Sequence, residues 1–380
     1  MNLPSKLPKV GTTIFTVMSQ MAHDYKAINL AQGFPNFSPS TELLEAATNA
    51  MQRGLNQYAP MAGYQPLRER IAEKIEECYG RRVNTDTEIT VTPGGTAALF
   101  AAMMATVHTG DEVIVLEPCY DSYLPTFELC GAVVKRIPLD FPDYTVNWDA
   151  VQQGVSAKTR MIVLNTPHNP TGSILRKADM ERLAAIVRNT DIIILSDEVY
   201  EHITFDGEQH QSVLRTPELA ERSFVVSSFG KTFHVTGWKT GYCVAPAELM
   251  REFRKVYQFM NFASFTPAQA AFAEILAYKA YYQTLPAFYQ AKRDYFRQLM
   301  ADSRFELLPS DGSYFQLARY SALSDMNDSD FAIWLTQMHG VSVIPVSAFY
   351  TDGTDNHIIR FCFAKTEETL ERATEALRKI

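Results

Sequence analysis

Short runs of β-branched and apolar residues recur through the middle of this chain, separated by stretches long enough for a helix. The runs occupy residues 88–92, 112–116, 160–164, 192–195 and 224–227. Runs of this kind, between helical patterns, predict strands of a buried sheet. Strands spaced by helices in turn predict right-handed crossovers into a parallel sheet. Residues 177–187 have the spacing of one amphipathic crossover helix, and residues 97–107 are apolar enough to form a buried one. Thr41 with Glu42, and Thr366 with Glu367 and Glu368, predict helix starts. There a hydroxyl can accept from free N–H groups, and carboxylates face the positive end of the helix.

Beyond Pro246 the pattern changes to helices over 248–260 and 267–282. Short strands follow at 314–317, 341–344 and 358–363. The expected fold class is therefore α/β, a large domain joined to a smaller α+β domain. The 380 residues, 46% hydrophobic and 21% charged, suit about two globular domains. The net charge of −8 without a basic run argues against a nucleic-acid partner. No apolar stretch approaches the roughly 18 residues of a membrane span. Pro4 and Pro8 interrupt an opening that lacks the apolar core of a secretory leader. Five scattered cysteines without a Cys-x-x-Cys pair predict a reducing compartment, the cytoplasm.

Ligands of open parallel sheets sit beyond the carboxyl ends of the strands, so the residues just past each run are informative. Residues 89–92 lead into Pro93-Gly94-Gly95-Thr96 and a helix start, a plausible anion cradle. The next run delivers Tyr120, and the one after it delivers Asn165-Thr166-Pro167-His168-Asn169-Pro170-Thr171-Gly172, a rigid loop holding Asn169. Residues 191–196 end in Asp197-Glu198-Val199-Tyr200; taken alone, Asp197 reads equally as a helix cap. The last run leads to Ser228-Phe229-Gly230-Lys231-Thr232, where apolar neighbours predict a desolvated lysine with a lowered pKa. A buried acid, a free amine, an aromatic face and an anion cradle together fit pyridoxal 5′-phosphate.

With Gln32-Gly33-Phe34-Pro35, Tyr58-Ala59-Pro60 and Ile359-Arg360-Phe361, these motifs run along nearly the whole chain. The chain resembles the fold-type I, class I and II aminotransferases, in the branch of the kynurenine and methionine aminotransferases. The Thr-Pro-His-Asn-Pro loop and the Gly-Thr-Thr-Ile-Phe opening are similar to those of the bacterial methionine enzymes. The resemblance implies a pyridoxal-phosphate transferase fold. A mostly parallel seven-stranded sheet would lie between helices in residues 41–282, with a small domain over 283–380 and an N-terminal arm, 1–40, contributing to it.

By the same resemblance, Lys231 would hold the cofactor covalently and Asp197 would pair with its ring nitrogen. Tyr200 and Asn169 would meet the ring hydroxyl oxygen, and Tyr120 would stack on the ring. Gly95, Thr96, Ser228 and Lys239 would bind the phosphate, joined by Tyr58 from the other subunit of a homodimer. Arg360 would clamp the substrate carboxylate, helped by Asn169 and the backbone at Gly33; Lys231, Asp197 and Tyr200 form the catalytic set, and no metal is implied. The implied activity moves the amino group of an L-amino acid (methionine, aromatic or glutamine-like) to a 2-oxo acid by a ping-pong mechanism.

Two positions depart from the wider pattern. Lys239 stands where aspartate aminotransferases carry Arg, and His168 stands where many relatives carry Asn, as a substrate contact or a loop filler. Phe15, Tyr64 and Tyr123 are candidates for a side-chain pocket or for ordinary core. A carbon–sulfur β-lyase using the same Lys, Asp and Arg is the alternative activity. A serine acyltransferase reading of Ser228 and Lys231 meets its accompanying motifs in the wrong order.

Overall fold

The computed structural model describes residues 3–380. Met1 and Asn2, the first residues of the expected 1–40 arm, lie outside the described residues. Along the chain run β1 (Ile28–Asn29), β2 (Ile89–Thr92), β3 (Glu112–Glu117), β4 (Val133–Pro138), β5 (Thr159–Asn165), β6 (Ile193–Asp197) and β7 (Ser223–Ser228). They are followed by β8 (Gly241–Val244), β9 (Glu306–Leu307), β10 (Phe315–Arg319), β11 (Val341–Ser342), β12 (Ile344–Pro345) and β13 (Ile358–Cys362). Seven of them form one sheet in the order β2-β8-β7-β6-β5-β3-β4, parallel except for β8, which runs antiparallel to both neighbours.

All five apolar runs lie in this sheet. Successive side chains of a strand point to opposite faces, and the strands accordingly split their residues between two cores. Ile114, Leu116, Ile162, Leu164, Ile194 and Val225 enter one; Val113, Val115, Met161, Val163, Leu195 and Val226 enter the other. Two strands were not foreshadowed by an apolar run. β4 is an edge strand whose Lys135 and Arg136 reach solvent, and β8 is four residues long and opens on a glycine. The helix Gly95–Thr106 starts directly after β2, packs under the sheet, and is covered in turn by the helix Ala247–Met260.

The remaining strands form a four-stranded antiparallel sheet, β12-β13-β10-β9, and a parallel pair, β1-β11. The single strand expected over 341–344 is interrupted at Val343, where the chain passes from pairing with β1 to pairing with β13. The helix expected over 267–282 is also two elements, Thr266–Ile275 and Ala280–Gln283. Tightened i→i−3 bonds at Ala277 and Tyr278 close the first and turn Tyr282 inward, where its hydroxyl donates to Glu77 at 3.1 Å. A third helix, Leu285–Leu299, comes directly after it. The cap expected at Thr41 is Ser40 instead, whose Oγ accepts from the Leu43 N–H, whereas Thr366 caps the last helix as expected.

Candidate active site

The carboxyl ends of β2, β5, β6 and β7 open onto a cavity of about 270 Å³, which β13 and the segment after β1 close from the far side. Gly94, Gly95 and Thr96 line one end, where the helix Gly95–Thr106 presents its unpaired N–H groups. Backbone approaches closely here: a Cβ on Gly95 would meet Val199 at 2.9 Å, and one on Gly94, already at φ +84°, would lie 3.2 Å from Lys239 Nζ. Ser228 and Lys239 border the same end. Tyr120 lies beside it, its hydroxyl 3.3 Å from Thr96 Oγ1.

Asp197 is the last residue of β6 and is buried. Its Oδ2 accepts from the Tyr123 hydroxyl at 2.6 Å, and its Oδ1 meets the Val199 N–H at 3.4 Å. Burial pushes its carboxyl up to about 6, against the Tyr123 hydrogen bond, the Val199 N–H and the Lys231 charge. Lys231 sits in the single turn Phe229–Thr232 that follows β7. Burial lowers its amine to about 8; Lys239 and Arg360 lower it further, while Cys362 and Asp197 act the other way. Lys231 Nζ donates to Tyr314 Oη at 2.9 Å and to the Gly33 carbonyl at 3.2 Å.

Arg360, in β13, is fully buried, and among the described residues no carboxylate comes within ion-pair distance of it, although the Asp121 charge acts on it from farther off. Its Nη1 donates to Asn169 Oδ1 at 2.5 Å and its Nη2 to the Ala31 carbonyl at 2.9 Å, while Nε has no partner among the described residues. The guanidinium lies 3.9 Å over the Phe315 ring. Burial pulls its pKa down to about 10. A buried cation with an unused donor is costly unless an anion joins it, so the arrangement is set for a carboxylate. Since Asn169 Oδ1 is engaged by Arg360, its amide nitrogen is the group left for a ligand. Gly33 must be glycine for packing reasons, because a Cβ there would come within 2.8 Å of the Phe315 ring.

The cavity thus brings together Gly33, Gly95, Thr96, Tyr120, Asn169 and Asp197, with Tyr200, Ser228, Lys231, Lys239 and Arg360. Tyr58 stands apart, 83% exposed and edge-on to Phe262. His168 is buried outside the cavity, its Nδ1 2.7 Å from Thr171 Oγ1, and burial lowers it to about 3, as befits a loop filler. Of the side-chain pocket candidates, Phe15 lines the cavity; Tyr64 faces a separate surface hollow and Tyr123 stands behind Asp197. Sequence reading did not place Tyr314 or Phe315 in the site. Nothing in their local pattern marks them, since each acquires its role only when β10 is set beside β13.

The family model for aminotransferase class I and II matches residues 25–377. The chain belongs to this family. As an aminotransferase it is 50% identical to the methionine aminotransferase of Escherichia coli, with 99% of this chain and 98% of that one covered. It is 32% identical to a kynurenine–oxoglutarate transaminase of Dictyostelium discoideum over 99% and 96% of the two chains. A crystal structure from Escherichia coli reported with a methionine aminotransferase function superposes on this aminotransferase with a TM-score of 0.98, at 49% identity and complete coverage of both chains.

Proposed function

We propose that this aminotransferase binds pyridoxal 5′-phosphate in the cavity and moves the amino group of an L-amino acid, methionine foremost, to a 2-oxo acid. The observation that supports this most directly is the convergence of the Lys231 amine, the Asp197 carboxylate and the unpaired Arg360 guanidinium on one cavity. The residues fit the cofactor: a glycine-lined helix start and Lys239 for the phosphate, a buried acid for the ring nitrogen, and a desolvated amine for the aldehyde. When bound, pyridoxal phosphate supplies an aldehyde that condenses with amines and a ring that draws electrons from the substrate Cα.

Asp197 holds a proton on the ring nitrogen, because a close anion favours the charged form. Lys231 Nζ, with its pKa near neutrality, is suited to take the Cα proton and return it. Arg360, with the Asn169 amide, would fix the substrate carboxylate and so orient the Cα–H bond. Phe15 borders the side-chain end of the cavity. The preference for methionine is supported by the 50% identity to the Escherichia coli enzyme. Tyr58, exposed beside the exposed Phe262, supports a homodimer in which Tyr58 reaches the partner's phosphate site.

The test is product analysis across a panel of amino donors. Methionine plus a 2-oxo acid is expected to give the 2-oxo acid of methionine at the highest kcat/KM. Release of keto acid and ammonia from cystathionine alone, without need of an acceptor, would establish the β-lyase instead.

A further inference from the structure

Two acceptors hold Lys231 from one side. The Tyr314 hydroxyl lies 2.9 Å from Nζ and 2.5 Å from the Gly33 carbonyl oxygen, and Nζ lies 3.2 Å from that same carbonyl. The carbonyl can only accept and the phenol has a single proton, so Tyr314 donates to Gly33 and accepts from the amine. A neutral primary amine has two N–H bonds and one lone pair. The three distances set the two acceptors close together on one side of Nζ, so the N–H bonds straddle the pair and the lone pair is turned away from Tyr314 and Gly33, with Lys231 itself a wall of the cavity. We infer that Tyr314 is a positioning residue whose hydroxyl, anchored on the Gly33 carbonyl, aims the Lys231 lone pair into the cavity.

The surroundings keep that hydroxyl in place. Tyr314 is completely buried, its ring edge-on to Tyr200 and Phe315 at 5.0 Å each and tilted against Tyr289 at 5.7 Å. Its backbone carbonyl accepts from Phe363 at 3.1 Å, just beyond the strand that bears Arg360. Consecutive residues thus serve the two charged groups of the site: Tyr314 fixes the amine and Phe315 lies under the guanidinium. Gly33 ties both to the segment after β1, and only a glycine lets Phe315 and Tyr314 approach it so closely.

The inference rests on Lys231 being the amine that bonds pyridoxal phosphate. In that reaction the nitrogen bonds to the aldehyde carbon, and the two amine protons leave with the aldehyde oxygen as water. The groups facing Lys231 are Asp197 at the end of β6, Lys239 before β8, Arg360 and Cys362 in β13, the Tyr314 hydroxyl and the Tyr200 ring. Of these, Tyr314→Phe removes a single acceptor. An acceptor favours the charged ammonium, so its loss moves the amine's half-neutral point downward in pH, while the undirected lone pair reacts more slowly once neutral.

The experiment follows capture of pyridoxal phosphate by the apoenzyme, by absorbance, from neutral to alkaline pH. For Tyr314→Phe the expected result is a midpoint about 0.5 to 1 pH unit lower than wild type. The plateau rate should fall by about 10-fold to 10²-fold. In the holoenzyme, kcat should fall while KM for the amino acid stays nearly constant. Tyr289→Phe, which removes from the same aromatic cluster a buried hydroxyl that has no partner among the described residues, should change neither midpoint nor plateau. A Tyr314→Phe apoenzyme with the wild-type midpoint overturns the inference, whether its plateau is unchanged or falls only in step with folded protein measured by circular dichroism. A wild-type apoenzyme in which the reduced adduct maps to a peptide other than that of Lys231 overturns the underlying reading, and the inference with it.

Discussion

Lys231 is the residue whose chemistry depends most on where the fold puts it. Because burial brings its amine to about 8, the neutral fraction rises steeply through mildly alkaline pH. Capture of pyridoxal phosphate by the apoenzyme should therefore accelerate with rising pH around a midpoint near 8. Lys231→Ala should abolish capture and lower turnover by more than about 10³-fold, as measured by absorbance and by oxo-acid formation. His168 shows the opposite use of burial: kept neutral with a pKa near 3, it contributes stability that is full above the unfolded value of about 6.5 and is lost as pH falls below it. His168→Asn should consequently gain on the wild type by up to about 1.4 kcal/mol for each pH unit between roughly 6.5 and 4. Urea melts at several pH values would show this, and a difference that does not change with pH would refute it.

At the scale of elements, a buried charge cluster ties the helix Gln65–Tyr79 to the segment after β6 and to β8. Lys74 Nζ lies 2.7 Å from Glu201 Oε1 and 2.6 Å from the Tyr242 hydroxyl, and Tyr79 donates to the other Glu201 oxygen. Burial opposes both charges, yet Lys74 holds Glu201 well below the usual carboxylate range and Glu201 holds Lys74 above the usual ammonium range. Removing one partner strands the other, so Glu201→Gln should cost about 3–5 kcal/mol in chemical denaturation. The carboxylate's share of the stability is present above its unfolded pKa of about 4.3 and lost below it, so the penalty should shrink in acid.

None of this cluster was legible beforehand, because its members come from three separated segments. The central strands were legible because complete burial leaves uninterrupted apolar runs. β4 was not, since an edge strand keeps Lys135 and Arg136 in solvent, and β8 opens on a glycine, which reads as a turn rather than a strand. The site divides in the same way. Asp197, Asn169, Lys231 and the glycines of the cradle lie in strand-end loops whose residue types announce them. Tyr123, Tyr314 and Phe315 act only through neighbours distant in the chain.

For the molecule as a whole, Tyr58 and Phe262, exposed and edge-on to each other, mark the surface expected to meet a second copy, and Phe259 and Phe265, adjoining Phe262 in sequence, are exposed as well. The Tyr58 loop is held from behind by Thr266, whose hydroxyl accepts from the Ala59 N–H and donates to the Gln57 carbonyl. Sedimentation should therefore give twice the chain mass. Tyr58→Phe should leave that mass unchanged while weakening pyridoxal phosphate retention by about 10-fold, the worth of one hydrogen bond to a charged group. Equal retention in dialysis would remove Tyr58 from the phosphate site. The guanidinium of Arg360 belongs to the small antiparallel sheet, whereas the amine and the acid belong to the large one. A molecule that touches both acts as a clasp across the seam. A simple alkanoate that cannot be transaminated should on that account raise the melting temperature with the logarithm of its concentration once above its Kd, and Arg360→Met should erase that gain.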